Sequence, residues 1–303
     1  MTDSIHKQFM EFDRLLSAYD ASPMPVYRDA IYAKVDTIAD EIQCSDNKNE
    51  LEEEFFNICK KFASGLMHER AREKPLGYAG DYLLIDWIYT NKTAESGDGR
   101  LFDRLFQSYE AAQAVRNRKS YFIQKCLDLS HQKKDRIDVL NLASGPCRDV
   151  LETFEASENG KNLFFHCIDQ EPEAIAYAEK LLTNTKAWEN VTLEMQNVLR
   201  LRTDKQYDLI WSAGLFDYLE DSTIVLLLKR LWKLLKDDGQ IIFGNFGPNN
   251  PTRKGMELVS RWYLIHRSID ELMQLCQKAN LPFRELEVEN EPLGINLFCV
   301  IKK

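Results

Sequence analysis

The chain has 303 residues, 44% hydrophobic and 29% charged, which is a globular composition rather than a disordered one. Its length admits one large domain or two modest ones. Lys and Arg number 39 against 48 Asp and Glu, a formal net charge of -9, so a general nucleic-acid binder, which needs clustered positive charge, is disfavoured.

The opening stretch MTDSIHKQFMEFDR is amphipathic and carries early acids, with no apolar signal core. No uncharged apolar run approaches the roughly 18 residues that span a bilayer, so a cytoplasmic protein without a membrane span is expected. Up to about residue 132 the patterning is helical. Ile5, Phe9, Phe12, Leu15, Leu16 and Tyr19 recur on one stripe, and ASPMPVY then breaks the helix with two prolines. Further helices are expected over about 27–42, 49–70 and 82–89, the third opening on acids that suit its dipole. REKPLGYAGDY reads as a Pro/Gly break and NKTAESGDG as a loop, and helix resumes from about 101 to 131, with room for an interruption.

From Arg136 the rhythm alternates. IDVLNLAS, NLFFHCIDQ, VTLEMQNV, YDLIWSAGL, GQIIFGNFG, FRELEVEN and GINLFCVIKK read as seven strands, several of them apolar enough to be buried on both faces. RDVLETFEAS, EPEAIAYAEKLLTNT, DSTIVLLLKRLWKLLKDDG and SIDELMQLCQKAN read as helices between them. The last two strands are joined only by EPLG and so pair antiparallel. The expected organisation is an N-terminal α-helical cap, a substrate-binding region, over 1–132 and, over 133–303, an open doubly wound α/β sheet. Ligands of such sheets bind at the carboxyl ends of the strands.

The turn after the first strand, NLASGPCRDV, is built of small residues that let a ligand approach the backbone, although Gly145 is its only glycine and GxGxxG is absent. The second strand ends at Asp169, 24 residues beyond Gly145, close to the spacing of an acid that accepts hydrogen bonds from a ribose. Asp169 at a helix start is the plainer alternative. The third strand ends at Asn197, where a polar side chain can read an adenine edge. The fourth ends in the small residues Ser212, Ala213 and Gly214.

The series NLASGPCRDV, HCIDQEP, MQNV, YDLIWSAGLFDYL and LLKDDGQIIFGNF resembles the motif order of class I S-adenosylmethionine-dependent methyltransferases over residues 136–303. Asn141 stands where an acid is usual. The resemblance implies a Rossmann-like sheet of order 3-2-1-4-5-7-6 with the last strand antiparallel. It also implies S-adenosylmethionine as the donor, with S-adenosylhomocysteine as product and no metal. Asn141, Ala143, Ser144 and Gly145 would then meet the methionine part, Asp169 the ribose, Gln170 the adenine or ribose, and Asn197 with Val198 the adenine. Ser212, Ala213 and Gly214 would pass beneath the sulfur. EKPLGYAGDY, AVRNRKSYF and RKGMELVSRWYLIHRS add a narrower likeness, to bacterial methyltransferases that make 3-hydroxypalmitic acid methyl ester, an extracellular signalling molecule.

Methyl transfer from a sulfonium is an in-line displacement, so the protein's task is to align acceptor, methyl and sulfur and to exclude water. A carboxylate acceptor is already ionised; a hydroxyl or ammonium group must lose a proton. Tyr78, Asp81 and His266 are the candidates for managing that proton. Tyr82, Arg116, Arg118, Arg253, Trp262 and Tyr263 are the candidates for holding the acceptor. Arg116 and Arg118 diverge at i,i+2, so at most one faces a cleft. The seven cysteines form no CxxC pair and no HExxH or HxH spacing occurs, which argues against a zinc site. A small-molecule acceptor methylated on oxygen is the leading expectation. N-methylation of an amine-bearing metabolite or protein side chain, and donor binding without catalysis, are the alternatives; the oligomeric state stays open.

Overall fold

The computed structural model describes residues 2–157 and 162–303. The chain divides into two compact units, Met1–Gln113 with Pro251–Tyr263, and Ala114–Asn250 with Leu264–Lys303. This differs from the expected border at 132/133, and the reason lies in the helix crossing it.

The first unit is helical: α1 (Thr2–Ala21), α2 (Pro25–Gln43), α3 (Lys48–Cys59), α4 (Leu66–Glu73), α5 (Tyr82–Tyr89), α6 (Gly97–Gln107) and the short α11 (Arg253–Leu258). Along α1, Ile5, Phe9, Phe12, Leu16 and Tyr19 are buried, as the stripe requires. Phe9 and Phe12 meet Phe55 of α3 with ring centroids 5.6 and 5.1 Å apart. The helix expected over 49–70 is instead broken after Cys59 by a 3-10 turn, Phe62–Ser64. Buried Asp103 explains the restart, because its carboxylate accepts from Met67 N (3.1 Å) and Ala94 N (2.8 Å). Gly65 leaves room for it, since a Cβ there would overlap the Asp103 carboxylate. The expected loop 91–99 is shorter than its composition indicates, with Gly97–Gly99 forming the first turn of α6.

The second unit is the sheet: β1 (Ile137–Leu142), β2 (Leu163–Asp169), β3 (Val191–Met195), β4 (Tyr207–Ser212), β5 (Leu235–Phe246), β6 (Glu285–Asn290) and β7 (Asn296–Lys302), in the order β3-β2-β1-β4-β5-β7-β6. β1 to β5 pair in parallel, and β7 lies antiparallel between β5 and β6. One face packs on α10 (Asp221–Lys233) and α12 (Ile269–Lys278) through Ile224, Leu228, Leu272 and Leu275. The other packs on α8 (Arg148–Ala156), α9 (Pro172–Leu182) and the later part of α7 (Glu110–Gln132). Phe122 and Cys126 of α7 are buried in that core, and Tyr121 stacks on Phe298 of β7 with centroids 3.9 Å apart. Residues 114–132 therefore belong with the sheet.

The sequence LLKDDG, expected to end a helix, opens β5. Leu235 pairs with Tyr207, the register then shifts, and Asp238 takes a left-handed φ of 62°. An irregularity of this kind inserts unpaired residues without any hydrophobic signature.

Candidate active site

At the carboxyl edge of the sheet, the chain leaving β1 turns through Ala143 (φ 50°), Gly145 (φ 54°) and Cys147 (φ 54°) before entering α8. The turn is tied to β2 at two points: Ser144 N donates to Ile168 O (3.0 Å) and Gly145 N to Asp169 Oδ2 (2.9 Å). Asp169 Oδ1 accepts from Glu171 N (3.0 Å). Burial raises the Asp169 pKa above the usual carboxylate value, while the Glu171, Gly145 and Gln170 N–H groups oppose the rise. Each carboxylate oxygen keeps a lone pair beyond the one it uses, so the side chain is aimed and still able to accept from two further hydroxyls.

One buried group in this turn region lacks a hydrogen-bond partner, the Ser144 hydroxyl, whereas the Asn141 amide helps to hold down the pKa of Asp149 by hydrogen bonding. Buried polar groups are seldom left unpaired. The Ser144 side chain is only 7% exposed, and its unused hydroxyl fits a polar ligand filling the cradle formed by the turn. Asn197, exposed at the end of β3, caps a 3-10 turn by accepting from Leu199 N, and its Nδ2 donates to Gln170 Oε1 (2.9 Å). Val198 beside it is buried. Gln170 also donates to Glu171. This set surrounds the end of β2 with amides and leaves an apolar floor at Val198.

Ser212 closes β4 with its hydroxyl donating to Leu142 O (3.2 Å), joining the ends of β4 and β1. Ala213 and Gly214 follow, half-buried. Against Gly214 lies the guanidinium of Arg118 from α7, and a Cβ on Gly214 would stand 2.8 Å from Arg118 Nη1. Arg118 is only 5% exposed; Arg116 is half-buried and burial lowers its pKa. Two acids feel the Arg118 charge. Burial pushes Asp149 at the start of α8 up to about 6, and Asp217 in the turn after β4 up to about 7, in each case against the pull of Arg118. Asp217 Oδ1 accepts from Phe246 N (2.6 Å), pinning the turn to the end of β5. Neither acid carries a sequence signal, because an acid at a helix start or in a turn is ordinarily solvated.

His266 is half-buried, its Nδ1 3.1 Å from Leu264 O and its ring edge-on to Phe246. Neighbouring Arg267 is structural, donating to Asn245, Phe216 O and Leu219 O and pairing with Asp221.

The other six candidates lie in the helical unit. Asp81 is fully buried and N-caps α5, accepting from Leu83 N and Leu84 N while pairing with Arg70. That network accounts for its burial. Tyr78 and Tyr82 are half-buried, and Arg70 stands 6.0 Å from the Tyr82 ring. Arg253 is exposed and pairs with Glu257 one turn later on α11. Trp262 is buried and Tyr263 is 54% exposed.

Among the described residues, no group of three or more His, Cys, Asp or Glu is placed to hold a metal ion, and no helix is long and apolar enough to cross a membrane.

Residues 133–282 match the family model described as a methyltransferase domain. The chain is 27% identical over 157 residues to malonyl-[acyl-carrier protein] O-methyltransferase of Priestia megaterium, covering 45% of this chain and 55% of that protein. It thus spans about half the length of the curated relatives it matches. Among solved structures, a possible exported protein from Bordetella parapertussis is similar over 100% of this chain and 96% of its own, with a TM-score of 0.61 and 17% identity. The S-adenosylmethionine-dependent methyltransferase SibL is similar over 91% of this chain and 76% of its own, with a TM-score of 0.53 and 13% identity. At such identities these two likenesses speak for the fold alone.

Proposed function

We propose, from the premise that the chain carries a class I methyltransferase domain and is an S-adenosylmethionine-dependent methyltransferase, that its acceptor is the carboxylate oxygen of a small-molecule acid. The observation that carries this reading is the buried Arg118 guanidinium against Gly214, at the end of β4. An ester-forming reaction also agrees with the curated O-methyltransferases that the chain resembles. A hydroxylated fatty acid is the finer form of the reading, supported by the likeness of EKPLGYAGDY and RKGMELVSRWYLIHRS to methyl-ester-forming enzymes.

When bound, S-adenosylmethionine supplies an electrophilic methyl on a sulfonium. Asp169, held by Gly145 N and Glu171 N, accepts from the ribose hydroxyls. Ser144 satisfies its free hydroxyl on the methionine part, beside Asn141, and Val198 with Asn197 bounds the adenine. Arg118 orients a carboxylate and only partly neutralises it, because Asp149 and Asp217 compete for its charge. A fully neutralised carboxylate would be a poor nucleophile, and binding that strengthens only the ground state does not raise turnover. No base is needed for such an acceptor.

A second reading has its own observation. Asp217, titrating at about 7, suits a proton acceptor, and an alcohol or phenol acceptor would need one. One experiment separates the two. The protein is incubated with methyl-labelled donor and a panel of carboxylic acids, phenols and amines. A methyl ester releases its label as methanol in mild alkali; an ether or methylamine does not. Alkali-stable label overturns the carboxylate reading. Arg118→Met, which keeps the stem and removes the charge, is expected to lower turnover of the acid at least tenfold. Measured donor affinity of the same variant tells whether Arg118 holds the acceptor or the donor's carboxylate.

A further inference from the structure

Near the end of α4, Arg72 carries a half-buried guanidinium that makes no hydrogen bond or ion pair among the described residues, and its Nε is shut away from solvent. The group lies over the Phe56 ring of α3, its central carbon 3.1 Å from the ring centroid. Burial lowers the Arg72 pKa and the nearby Arg261 adds to the fall, yet an arginine keeps its charge at any working pH. A cation held half inside a protein without a counter-ion is a standing cost to the fold.

The surroundings supply no such counter-ion. Burial pushes the neighbouring Cys59 thiol up to about 12, so it is uncharged near neutrality. Glu53 has a side chain 70% exposed and comes within 3.9 Å of Arg261, a second cation, rather than of Arg72. Arg261 holds a left-handed φ of 49°, which a residue with a Cβ adopts only where its surroundings impose it. His68 stands one turn before Arg72 on the same face of α4, and long side chains on a helix lean back toward that neighbour. Its ring is fully buried among Phe62, Phe106 and Tyr109, with Nδ1 2.8 Å from Ser260 Oγ and Nε2 without a partner. Burial, helped by the Arg72 charge, lowers the His68 pKa to about 3, so the ring is neutral. When the Ser260 hydroxyl donates to Nδ1, the ring proton sits on Nε2 as an unused donor. All of these residues belong to the helical unit.

We propose that His68, Arg72 and Arg261 form an anion-binding site in the helical unit, and that its ligand is a phosphoryl dianion. None of the three is among the residues assigned above to the donor or the acceptor. The two guanidinium groups bring two positive charges and forks of N–H donors that match an oxyanion, and His68 Nε2 adds a neutral donor. A phosphate carries close to two negative charges near neutral pH, spread over three strong acceptor oxygens. A carboxylate would neutralise only one of the two cations.

The test is calorimetry on the full chain, with inorganic phosphate and acetate titrated at matched ionic strength. Wild type is expected to bind phosphate at least tenfold more tightly than acetate, and saturating phosphate should raise its melting temperature. Arg72→Met keeps the stem and removes the charge, so phosphate affinity should fall at least tenfold and the phosphate-dependent rise in melting temperature should vanish. Its melting temperature without phosphate should not fall, because an uncompensated charge has been removed. Arg261→Met, at an exposed position, and His68→Phe, which keeps a ring and removes Nε2, should each weaken phosphate about fivefold. Affinity for S-adenosylhomocysteine should stay within about twofold in Arg72→Met and Arg261→Met. Methyl phosphate, run in parallel, identifies the source: affinity at least equal to that of phosphate assigns the phosphoryl group of an organic ligand, and clearly weaker binding assigns the free ion. Either result sustains the site.

Absence of phosphate binding by wild type up to about 10 mM overturns the proposal. Equal affinity for acetate overturns it as well, by reducing the selectivity to that of any cationic surface. Unchanged phosphate affinity in Arg72→Met or in Arg261→Met does the same. A large drop in the melting temperature of Arg72→Met in phosphate-free buffer also overturns it, by making the guanidinium a structural group.

Discussion

Asp169 illustrates how a single carboxylate can be a scaffold and, in the role we propose, a ligand of the ribose as well. Its two oxygens hold the turn after β1 and the start of α9 through Gly145 N and Glu171 N, which fixes where the remaining lone pairs point. Asp169→Ala should lose one or two charge-assisted bonds to the ribose, on the order of 1.5–3 kcal/mol each, so donor affinity measured by calorimetry is expected to fall at least tenfold. Unchanged affinity in a folded variant would reject the assignment. Asp217 makes a separate prediction about stability. Its pKa is raised from 3.8 to about 7 in the folded chain, with burial as the leading cause, so between those values the folded state keeps a proton that the unfolded state has released. Its contribution is therefore favourable below about pH 4 and is lost as the pH rises through 7, by roughly 4 kcal/mol at most for about three pKa units. Asp149, raised to about 6, acts in the same direction over a narrower window. Asp217→Asn, whose Oδ1 can still accept from Phe246 N, should flatten the decline and be more stable than wild type at pH 8 in urea titrations. Parallel stability–pH curves for the two proteins would sink this account.

At the scale of elements, the β6–β7 hairpin depends on one side chain. Glu291 is 1% exposed; its Oε1 accepts from Ile295 N (2.8 Å) and Asn296 N (3.2 Å), and its Oε2 from Leu293 N (2.9 Å) and Asn117 Nδ2 (2.6 Å). Glu291→Ala strands several buried donors and should cost about 2–4 kcal/mol in denaturant titrations, with Glu291→Gln costing less because one acceptor oxygen survives. A loss below about 0.5 kcal/mol for the alanine variant would show that solvent or a shifted loop replaces the carboxylate. In the sequence this residue is only part of a Pro/Gly turn, EPLG, which announces the hairpin and not its anchor. The same contrast holds elsewhere. Strand positions and the acid at the end of β2 were legible because period, spacing and small residues are local properties. The break at Gly65, the register shift at the start of β5 and the burial of Asp149, Asp217 and Asn296 are set by what packs against them. Arg118 was recognisable as one of two diverging arginines, but which of them lies against Gly214 depends on the helix's rotation. Asp81 and Arg253 show the converse: polar residues in suggestive loops whose partners, Arg70 and Glu257, account for them locally.

Across the whole molecule, the partition of α7 decides what can fold as a unit. The helical period runs unbroken from Glu110 to Gln132, so nothing in the pattern marks the change of allegiance after Gln113. Packing marks it. Phe122 is fully buried and its ring lies 5.0 Å from Trp211 of β4, while Tyr121 stacks on Phe298 of β7. Cys126 completes the strip against the same core as Val139 and Phe165. Removing these three side chains leaves one face of the sheet without its cover, and burial of an aromatic side chain is worth about 1.5–3 kcal/mol. A domain of this size is stable by only about 5–15 kcal/mol, so that loss is a large fraction of the whole. A fragment of residues 133–303 is therefore expected to expose an apolar face, aggregate and bind hydrophobic dyes. A fragment of residues 114–303 keeps α7 against the sheet and should unfold cooperatively, with donor affinity within about tenfold of the full chain, because Asp169, Ser144, Asn141 and Arg118 all lie inside it. Circular dichroism melts and calorimetry of the two fragments side by side provide the measurement. Equal melting transitions for both would mean that α7 is dispensable to the sheet, and the division at Gln113 would then have no energetic meaning.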